Sequence, residues 1–298
     1  MALLDSWVFW TLIAATMQAV RTAGQKQLSL SVSPLGTTMV RYLFGLPFAV
    51  LYLFVLLGDR VGLPPLNATF LIAGFLAGIL QIVATVLLIR LFALRNFAVG
   101  STYIRTEVLL TALIGFSVFG EEIVLMGWAA ILIAVAGLVM INVARTGGLK
   151  GLWDRSALYG LGAGLSFALT SLLIRRASLS FGIDDSMLTA AMTLVYMVLL
   201  QTAMTVLVIG ATAREQFGRV LNAWRPCLFI GVTSVAGSIG WFTAMTLELA
   251  SYVKTLGQIE FLLTFAIGWY YFRERPLPLE TIGMVLIVVG VIVLLVFG

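Results

Sequence analysis

Residues 94–121 read LRNFAVGSTYIRTEVLLTALIGFSVFGE, and residues 247–274 read LELASYVKTLGQIEFLLTFAIGWYYFRE. The two stretches lie 153 positions apart and belong to a longer ungapped match of 94–143 with 247–296. Its polar and glycine identities include Thr102/Thr255, Glu107/Glu260, Thr111/Thr264, Gly115/Gly268, Glu121/Glu274 and Gly137/Gly290. Apolar letters recur by chance between membrane segments, but charged and polar pairs in register do not. The chain is therefore an internal duplication.

The duplication extends towards the N-terminus. A weaker match at an offset of 149 aligns residues 25–31 with residues 174–180. The sequence thus predicts two half-units, 1–146 and 147–298, each with five membrane spans. An odd number of spans makes the second half enter the membrane in the opposite direction, as in the inverted repeats of secondary transporters.

The composition indicates a membrane protein. Of 298 residues, 61% are hydrophobic and 10% are charged, whereas soluble domains carry about 25% charged residues. Apolar stretches of about 20 residues span a bilayer as helices, because a helix satisfies its own backbone hydrogen bonds in lipid. The sequence predicts an all-α membrane protein of ten such helices, at 7–28, 35–57, 67–90, 97–118, 123–143, 156–174, 186–210, 227–247, 249–272 and 279–297.

Several functional classes are disfavoured by what the chain lacks. One cysteine, Cys227, and no histidine leave no disulfide and no common metal-ligand set. No Walker A loop, nucleophile elbow or dinucleotide fingerprint occurs in a fitting context, so we expect neither an enzyme nor a cofactor. The basic residues are spread over loops and helix ends, which excludes nucleic acid as a partner and leaves the lipid bilayer.

The distribution of basic residues predicts an orientation. The loops after odd-numbered spans hold most of them, namely Arg90, Arg95, Arg145, Lys150, Arg155, Arg214, Arg219, Arg225, Arg273 and Arg275. The other side holds Arg60, Arg175 and Arg176. By the positive-inside rule the odd loops are cytoplasmic, which places both termini outside a bacterial-type inner membrane. The segment 214–225 alternates charged with apolar residues, which is typical of a short interfacial helix.

The repeated motif resembles a known family. Residues 93–95 through 119–121, and again 247–250 through 272–275, look like the EamA module of the drug/metabolite transporter superfamily, and Arg41-Tyr42 is similar to its Arg-Phe in span 2. The resemblance implies a ten-helix carrier with a central cavity lined by spans 1, 3, 4, 6, 8 and 9. Members include exporters of amino acids, aromatic amino acids among them, and sugar-nucleotide carriers. They are commonly described with cytoplasmic termini, the opposite of the charge bias here.

Charged residues inside spans mark the candidate site. Span 4 holds Arg105 and Glu107, and span 9 holds Lys254 and Glu260. A charge at the bilayer centre costs at least about 2.5–3.5 kcal/mol, so it faces a cavity or a partner. Arg105 and Glu107 stand two positions apart, roughly 200° around a helix, and should not pair with each other.

Two interpretations of these charges stay open. In the first, Ser101 and Arg105, with Lys254 and Gln258, form a cationic face that binds the acidic group of a substrate. The residues predicted to complete the binding site are Gln18, Arg21, Thr22, Gln81, Tyr103, Glu107, Ser238, Trp241 and Glu260. In the second, Arg105 and Lys254 neutralise Glu107 and Glu260 from neighbouring helices and lock the halves together.

Two matched pairs of glutamates receive separate predictions. Glu107 and Glu260 are candidates for proton coupling, since burial raises the pKa of a carboxyl group and the chain has no histidine for that task. The alternative for them is a fixed ion pair. Glu121 and Glu274 follow spans 4 and 9 at the membrane surface, where they are expected to be solvated or to cap the next helix.

These observations favour a monomeric secondary transporter that exports a small metabolite, amino acids foremost, by alternating access at a central cavity. A proton is the candidate coupling ion. The alternatives are a lipid or glycolipid flippase and a sugar-nucleotide or sugar-phosphate carrier.

Overall fold

The computed structural model describes residues 6–58, 62–92, 104–146, 155–263 and 277–298. Within these ranges the chain forms helices, turns and bends and no β-strand. The helices are α1 (Trp7–Leu28), α2 (Pro34–Leu43), α3 (Leu46–Leu57), α4 (Ala68–Phe92), α5 (Thr106–Val118), α6 (Leu125–Thr146), α7 (Arg155–Leu179), α8 (Ser186–Thr212), α9 (Glu215–Asn222), α10 (Trp224–Leu247), α11 (Ala250–Leu256) and α12 (Pro278–Phe297). The predicted all-α class is confirmed.

The helices are suited to a bilayer. In the described part of the chain, six are long and apolar enough to cross it, namely α2 together with α3, α4, α7, α8, α10 and α12. Shorter apolar stretches run from Thr106 to Val118 in α5 and from Leu125 to Ile141 in α6. The first predicted span, α1, is more polar because it carries Gln18, Arg21, Gln25 and Lys26. The predicted spans 97–118 and 249–272 extend beyond the described residues.

Span 2 is not the continuous helix that its hydropathy predicts. It divides into α2 and α3 at residues 44–45. Pro47 stands at the start of α3, and proline has no N–H group with which to continue a helical ladder. The junction also packs closely, since a Cβ on Gly45 would lie 2.7 Å from the Arg41 carbonyl oxygen and 2.7 Å from the Val235 side chain.

Span 6 also differs from its prediction, whereas the interfacial segment agrees with it. The helix α7 continues to Leu179, so Arg175 and Arg176 lie within a helix and not in the loop where they were counted for orientation. The predicted interfacial segment folds as α9, with Gln216 and Val220 buried and Leu221 exposed.

Three helix pairs make the most extensive contacts between the two halves. These pairs are α1 with α10, α4 with α7, and α6 with α12. In span numbers these pairs are 1 with 8, 3 with 6, and 5 with 10. Spans 1 and 8 correspond in the repeat to spans 6 and 3, so the first two contacts are equivalent. Spans 5 and 10 correspond to each other, so the third contact is equivalent to itself. This pattern is what two repeats around a pseudo-two-fold axis produce.

The contact of α6 with α12 explains one pair of matched glycines. A Cβ on Gly137 would lie 2.5 Å from the Gly283 carbonyl oxygen, and a Cβ on Gly290 would lie 2.8 Å from the Ala130 carbonyl oxygen. Small residues at a helix crossing let the two backbones come into contact. The duplication has thus kept glycine at both equivalent sides of this crossing.

Candidate substrate site

Helices are interrupted at equivalent positions of the two halves. The chain is helical at residue 104, turns at Arg105 and continues as α5. In the second half α11 ends before a turn at 257–258, and residues 259–263 are helical again. The offset of 153 maps Arg105 onto Gln258. Helices interrupted in this way commonly frame transporter binding sites, because their free backbone groups and side chains face the substrate.

An ion pair joins the halves beside these interruptions. The Lys254 ammonium lies 2.5 Å from the Glu107 carboxylate, and the two side chains are 12% and 15% exposed. The same ammonium lies 4.6 Å from the centroid of the Trp241 ring, within the range of a cation–π interaction. Glu107 comes from the first half and Lys254 from the second, so the pair holds the halves together.

Glutamine 18 forms a second link between the halves. Its amide nitrogen donates to the Glu260 carboxylate at 2.7 Å, and its amide oxygen accepts from the Trp241 indole nitrogen at 3.0 Å. Glu260 and Trp241 are each 8% exposed. Glu107 and Glu260, which match in the repeat, are therefore each held by a side chain of the opposite half.

Two arginines lie near the glutamates Glu107 and Glu260 of these links. The Arg105 guanidinium lies over the Phe261 ring, 3.8 Å from its centroid, and within electrostatic reach of Glu107 and Glu260. Arg105 and Glu107 form no ion pair in the described part of the chain, in keeping with their spacing. Arg21 of α1 is 4% exposed and lies within electrostatic reach of Glu260.

The predicted cationic face is altered at Lys254 and Gln258. Lys254 is paired with Glu107, and the Gln258 amide donates to the Lys254 carbonyl oxygen at 3.0 Å. The turn at 257–258 causes this, since the continuous helix assumed from the sequence would have projected both side chains outward together. Thr22 is half-buried on α1. The predicted site residues Ser101 and Tyr103 lie outside the described residues.

Gln81 and Ser238 belong to a second polar region. Together with Arg41, Tyr42, Leu194, Val198, Gln201, Ser234 and Val235 they line a cavity with room for about one water molecule. The Gln201 amide donates to the Gln81 side-chain oxygen at 2.8 Å. The Arg41 guanidinium donates to the Thr85 hydroxyl at 3.2 Å. We refer to this region as the Arg41 cavity.

Arg41 and Gln201 were missing from the predicted site. Arg41 was noted only for the family motif, although the cost of burying a charge applies to span 2 as it does to spans 4 and 9. Gln201 is a polar residue of α8 and is fully buried. The helix α8 is span 7, and the family resemblance implies a cavity lined by span 8 but not by span 7. The resemblance therefore did not point to Gln201.

Glu121 caps a helix, although not the expected one. Its carboxylate accepts hydrogen bonds from the Ala250 amide at 3.2 Å and the Ser251 hydroxyl at 3.3 Å, at the start of α11 in the other half. It lies 3.7 Å from the Arg175 guanidinium, which also donates to the carbonyl oxygens of Met245 and Glu248. Burial raises the pKa of the Glu121 carboxyl group. The predictions of a solvated residue or a cap on the next helix were wrong, and Glu274 lies outside the described residues.

Comparison with known proteins agrees with this architecture. A solved crystal structure superposes with a TM-score of 0.70 at 16% identity, over 97% of this chain and 96% of that chain, which shows a common fold. No curated protein sequence is significantly similar to the chain. The model of the EamA-like transporter family matches residues 5–143 and again 154–296. The chain therefore belongs to the EamA-like transporter family, whose members carry small solutes across membranes.

Proposed function

We propose that this protein is a secondary active transporter that exports amino acids through the site between its halves. The single observation that carries the proposal is the set of ionised side chains at the matched helix interruptions. Glu107 and Glu260 offer carboxylates for an ammonium group, and the arginines around them offer partners for a carboxylate. A zwitterion needs both kinds of partner.

The aromatic residues of the site support the same substrate class. Phe261 lies against Arg105, and Trp241 lies against Lys254 and Gln18. Aromatic rings beside a pair of opposite charges provide an apolar surface for the side chain of an amino acid. We propose the two half-units 1–146 and 147–298 as the bodies that move relative to each other.

The links between the halves suggest how transport proceeds. The Lys254–Glu107 ion pair and the Gln18–Glu260 hydrogen bond each join one half to the other. An amino acid that enters between the halves competes for the same groups, because its ammonium and carboxylate satisfy the charges that the links now satisfy. Substrate binding then replaces the links and allows the halves to rock.

A proton is the proposed coupling ion. Glu107 and Glu260 each interact with a neighbouring side chain of the other half. Protonation of either carboxylate weakens that interaction and changes the charge of the site by one unit. A proton gradient can therefore bias which side the site faces.

Counterflow in proteoliposomes tests the proposal. Purified protein is reconstituted with unlabelled amino acids inside, and uptake of labelled amino acids, organic acids and nucleotide sugars is measured. We expect counterflow of at least one amino acid. Flux of a nucleotide sugar alone, or scrambling of labelled lipid without flux of any solute, would replace the proposal with one of those activities.

Matched variants connect the flux to the site. Lys254→Met is expected to reduce counterflow at least tenfold, in line with the roughly 2–5 kcal/mol cost of truncating one partner of a buried charge pair. Arg225→Gln is the control, since Arg225 is exposed near the start of α10, beside Trp224, and should leave flux unchanged. Equal losses in both variants would point to general damage and not to this site.

We also propose an orientation in the inner membrane, with the odd loops cytoplasmic and both termini outside. The chain has one cysteine, Cys227, which is buried, so Cys227→Ala provides a cysteine-free background. In that background, Asp184→Cys between α7 and α8 should react with an impermeant maleimide in intact cells. Leu30→Cys between α1 and α2 should react only after the cells are opened. The reverse pattern would place the termini in the cytoplasm.

A further inference from the structure

Arg41 is buried, and the part of the chain that the structure describes offers it no carboxylate partner. It is 5% exposed, donates to the Thr85 hydroxyl and lies 5.4 Å from the Tyr42 ring centroid. Among the described residues no carboxylate comes within ion-pair distance of it. A guanidinium stays charged in proteins, and burying an unpaired charge is costly. The fold therefore holds a positive charge at the Arg41 cavity that nothing described in the protein neutralises.

A second buried arginine adds to this charge. Arg21 is 4% exposed, and its Nε atom has no hydrogen-bond partner. It lies within electrostatic reach of Arg41 and of Glu260, and the Glu260 carboxylate also accepts from Gln18.

The net charge of the substrate site and the Arg41 cavity together is positive. The cations are Arg21, Arg41, Arg105 and Lys254, and the carboxylates are Glu107 and Glu260. Among these described residues two formal positive charges thus remain, and a charge within the membrane is expensive unless it is paired. A bound anion would reduce this cost, whereas a cation would add to it.

The walls of the Arg41 cavity provide neutral donors for an anion. Among the described residues the buried Ser234 hydroxyl has no hydrogen-bond partner, the buried Tyr42 hydroxyl lies within hydrogen-bond reach of Thr85, and Ser238 also lines the cavity. Buried polar atoms are normally satisfied, and an exception needs an explanation. Hydroxyl groups and a guanidinium around a small space are donors suited to an anion. The donors come from both halves, because Arg41 and Tyr42 lie on α2 and the two serines on α10.

We propose that the Arg41 cavity is a binding subsite for a small monovalent anion, either the carboxylate of the transported substrate or a free halide such as chloride. This subsite is distinct from the cationic face around Arg105 and Lys254, to which the sequence assigned the acidic group. Only the carboxylate alternative rests on the proposed function. Since the cavity has room for about one water molecule, the anion enters by displacing water or by a small outward movement of side chains.

Thermal unfolding of the purified protein in detergent tests this subsite without any transport. The probes are acetate, chloride and bromide, with gluconate as a bulky anion at the same ionic strength. We expect the midpoint of unfolding to rise with the concentration of a small anion and to saturate, because a ligand that binds only the folded state stabilises it. Saturation with acetate alone identifies a carboxylate site, and saturation with a halide identifies a halide site.

Variants assign the response to the cavity. Arg41→Gln should abolish the saturable rise, whereas the control Arg225→Gln should keep it. If Arg41→Gln does not fold, Tyr42→Phe and Ser234→Ala keep the positive charge and remove one donor each. Each should weaken the apparent affinity about tenfold, as expected for a hydrogen bond to a charged group. The assay for these two is the same titration.

Specific outcomes would overturn the inference. These are an equal rise with gluconate, an unchanged response in Arg41→Gln, or an unchanged affinity in both donor variants. Counterflow of amino acids without any saturable anion effect would reject the subsite and leave the proposed function standing. A saturable halide effect without counterflow would support the halide subsite and reject the proposed function.

Discussion

The Lys254–Glu107 pair gives the sharpest quantitative prediction. Its charged atoms are 2.5 Å apart and both side chains are largely buried. Removing one partner leaves the other charge buried alone, which costs about 3–5 kcal/mol. Glu107→Gln and Lys254→Met should therefore each lower the free energy of unfolding by about that amount. In the double variant neither charge is stranded, so its loss should be smaller than the sum of the single losses.

A double-mutant cycle measures this coupling. Unfolding of the wild type, the two single variants and the double variant is followed in one detergent at one pH. We expect a coupling free energy of about 2 kcal/mol or more, near the upper end for residues in contact. Arg214→Gln, at an exposed position between α8 and α9, serves as the control and should change stability by less than about 0.5 kcal/mol. Additive single losses would refute the description of this pair as a link between the halves.

Three further predictions concern packing, pH and coupling. Gly290→Ala should cost about 1–3 kcal/mol by overpacking, since its Cβ would lie 2.8 Å from the Ala130 carbonyl oxygen, whereas Gly218→Ala on α9, where a Cβ meets nothing within 4 Å, should be neutral or stabilising. Equal thermal melting of these two variants would contradict the close crossing of α6 and α12. Because burial raises the pKa of Glu121, its contribution to stability is present at low pH and is lost as the pH rises through that pKa. Glu121→Gln should therefore flatten the fall in melting temperature as the pH rises above the ordinary pKa of a carboxyl group, and slopes equal to the wild type would count against this. Glu260→Gln should abolish uphill transport driven by a proton gradient; uphill transport that persists in this variant would exclude Glu260 as the coupling residue.

The fold was accessible from the sequence because hydropathy and the repeat are strong signals. Ten apolar stretches and a 153-residue offset predicted an all-helical duplicated membrane protein, and the described helices and the two family matches agree. The breaks within spans were not accessible. Gly45 and Pro47 indicate one break by their residue types, and Gly257 stands in the turn at 257–258, but the turn at Arg105 carries no such signal. It depends on packing between the halves, which a single sequence does not display.

The candidate site was predicted in part. Glu107, Glu260, Lys254 and Gln18 do lie together, since buried charges in a membrane must find partners. Which charge pairs with which was not predictable, because the interhelical geometry decides it. Arg41 could have been found by applying the same rule to every span.

Competition in the counterflow assay tests the central claim most directly. The unlabelled competitors are the transported amino acid, the matching amine that lacks the carboxylate, and the matching acid that lacks the ammonium group. Recognition of a zwitterion by carboxylates and arginines together predicts that both analogues compete at least tenfold more weakly than the amino acid. Competition by either analogue as strong as that of the amino acid would contradict a site that binds both charged groups.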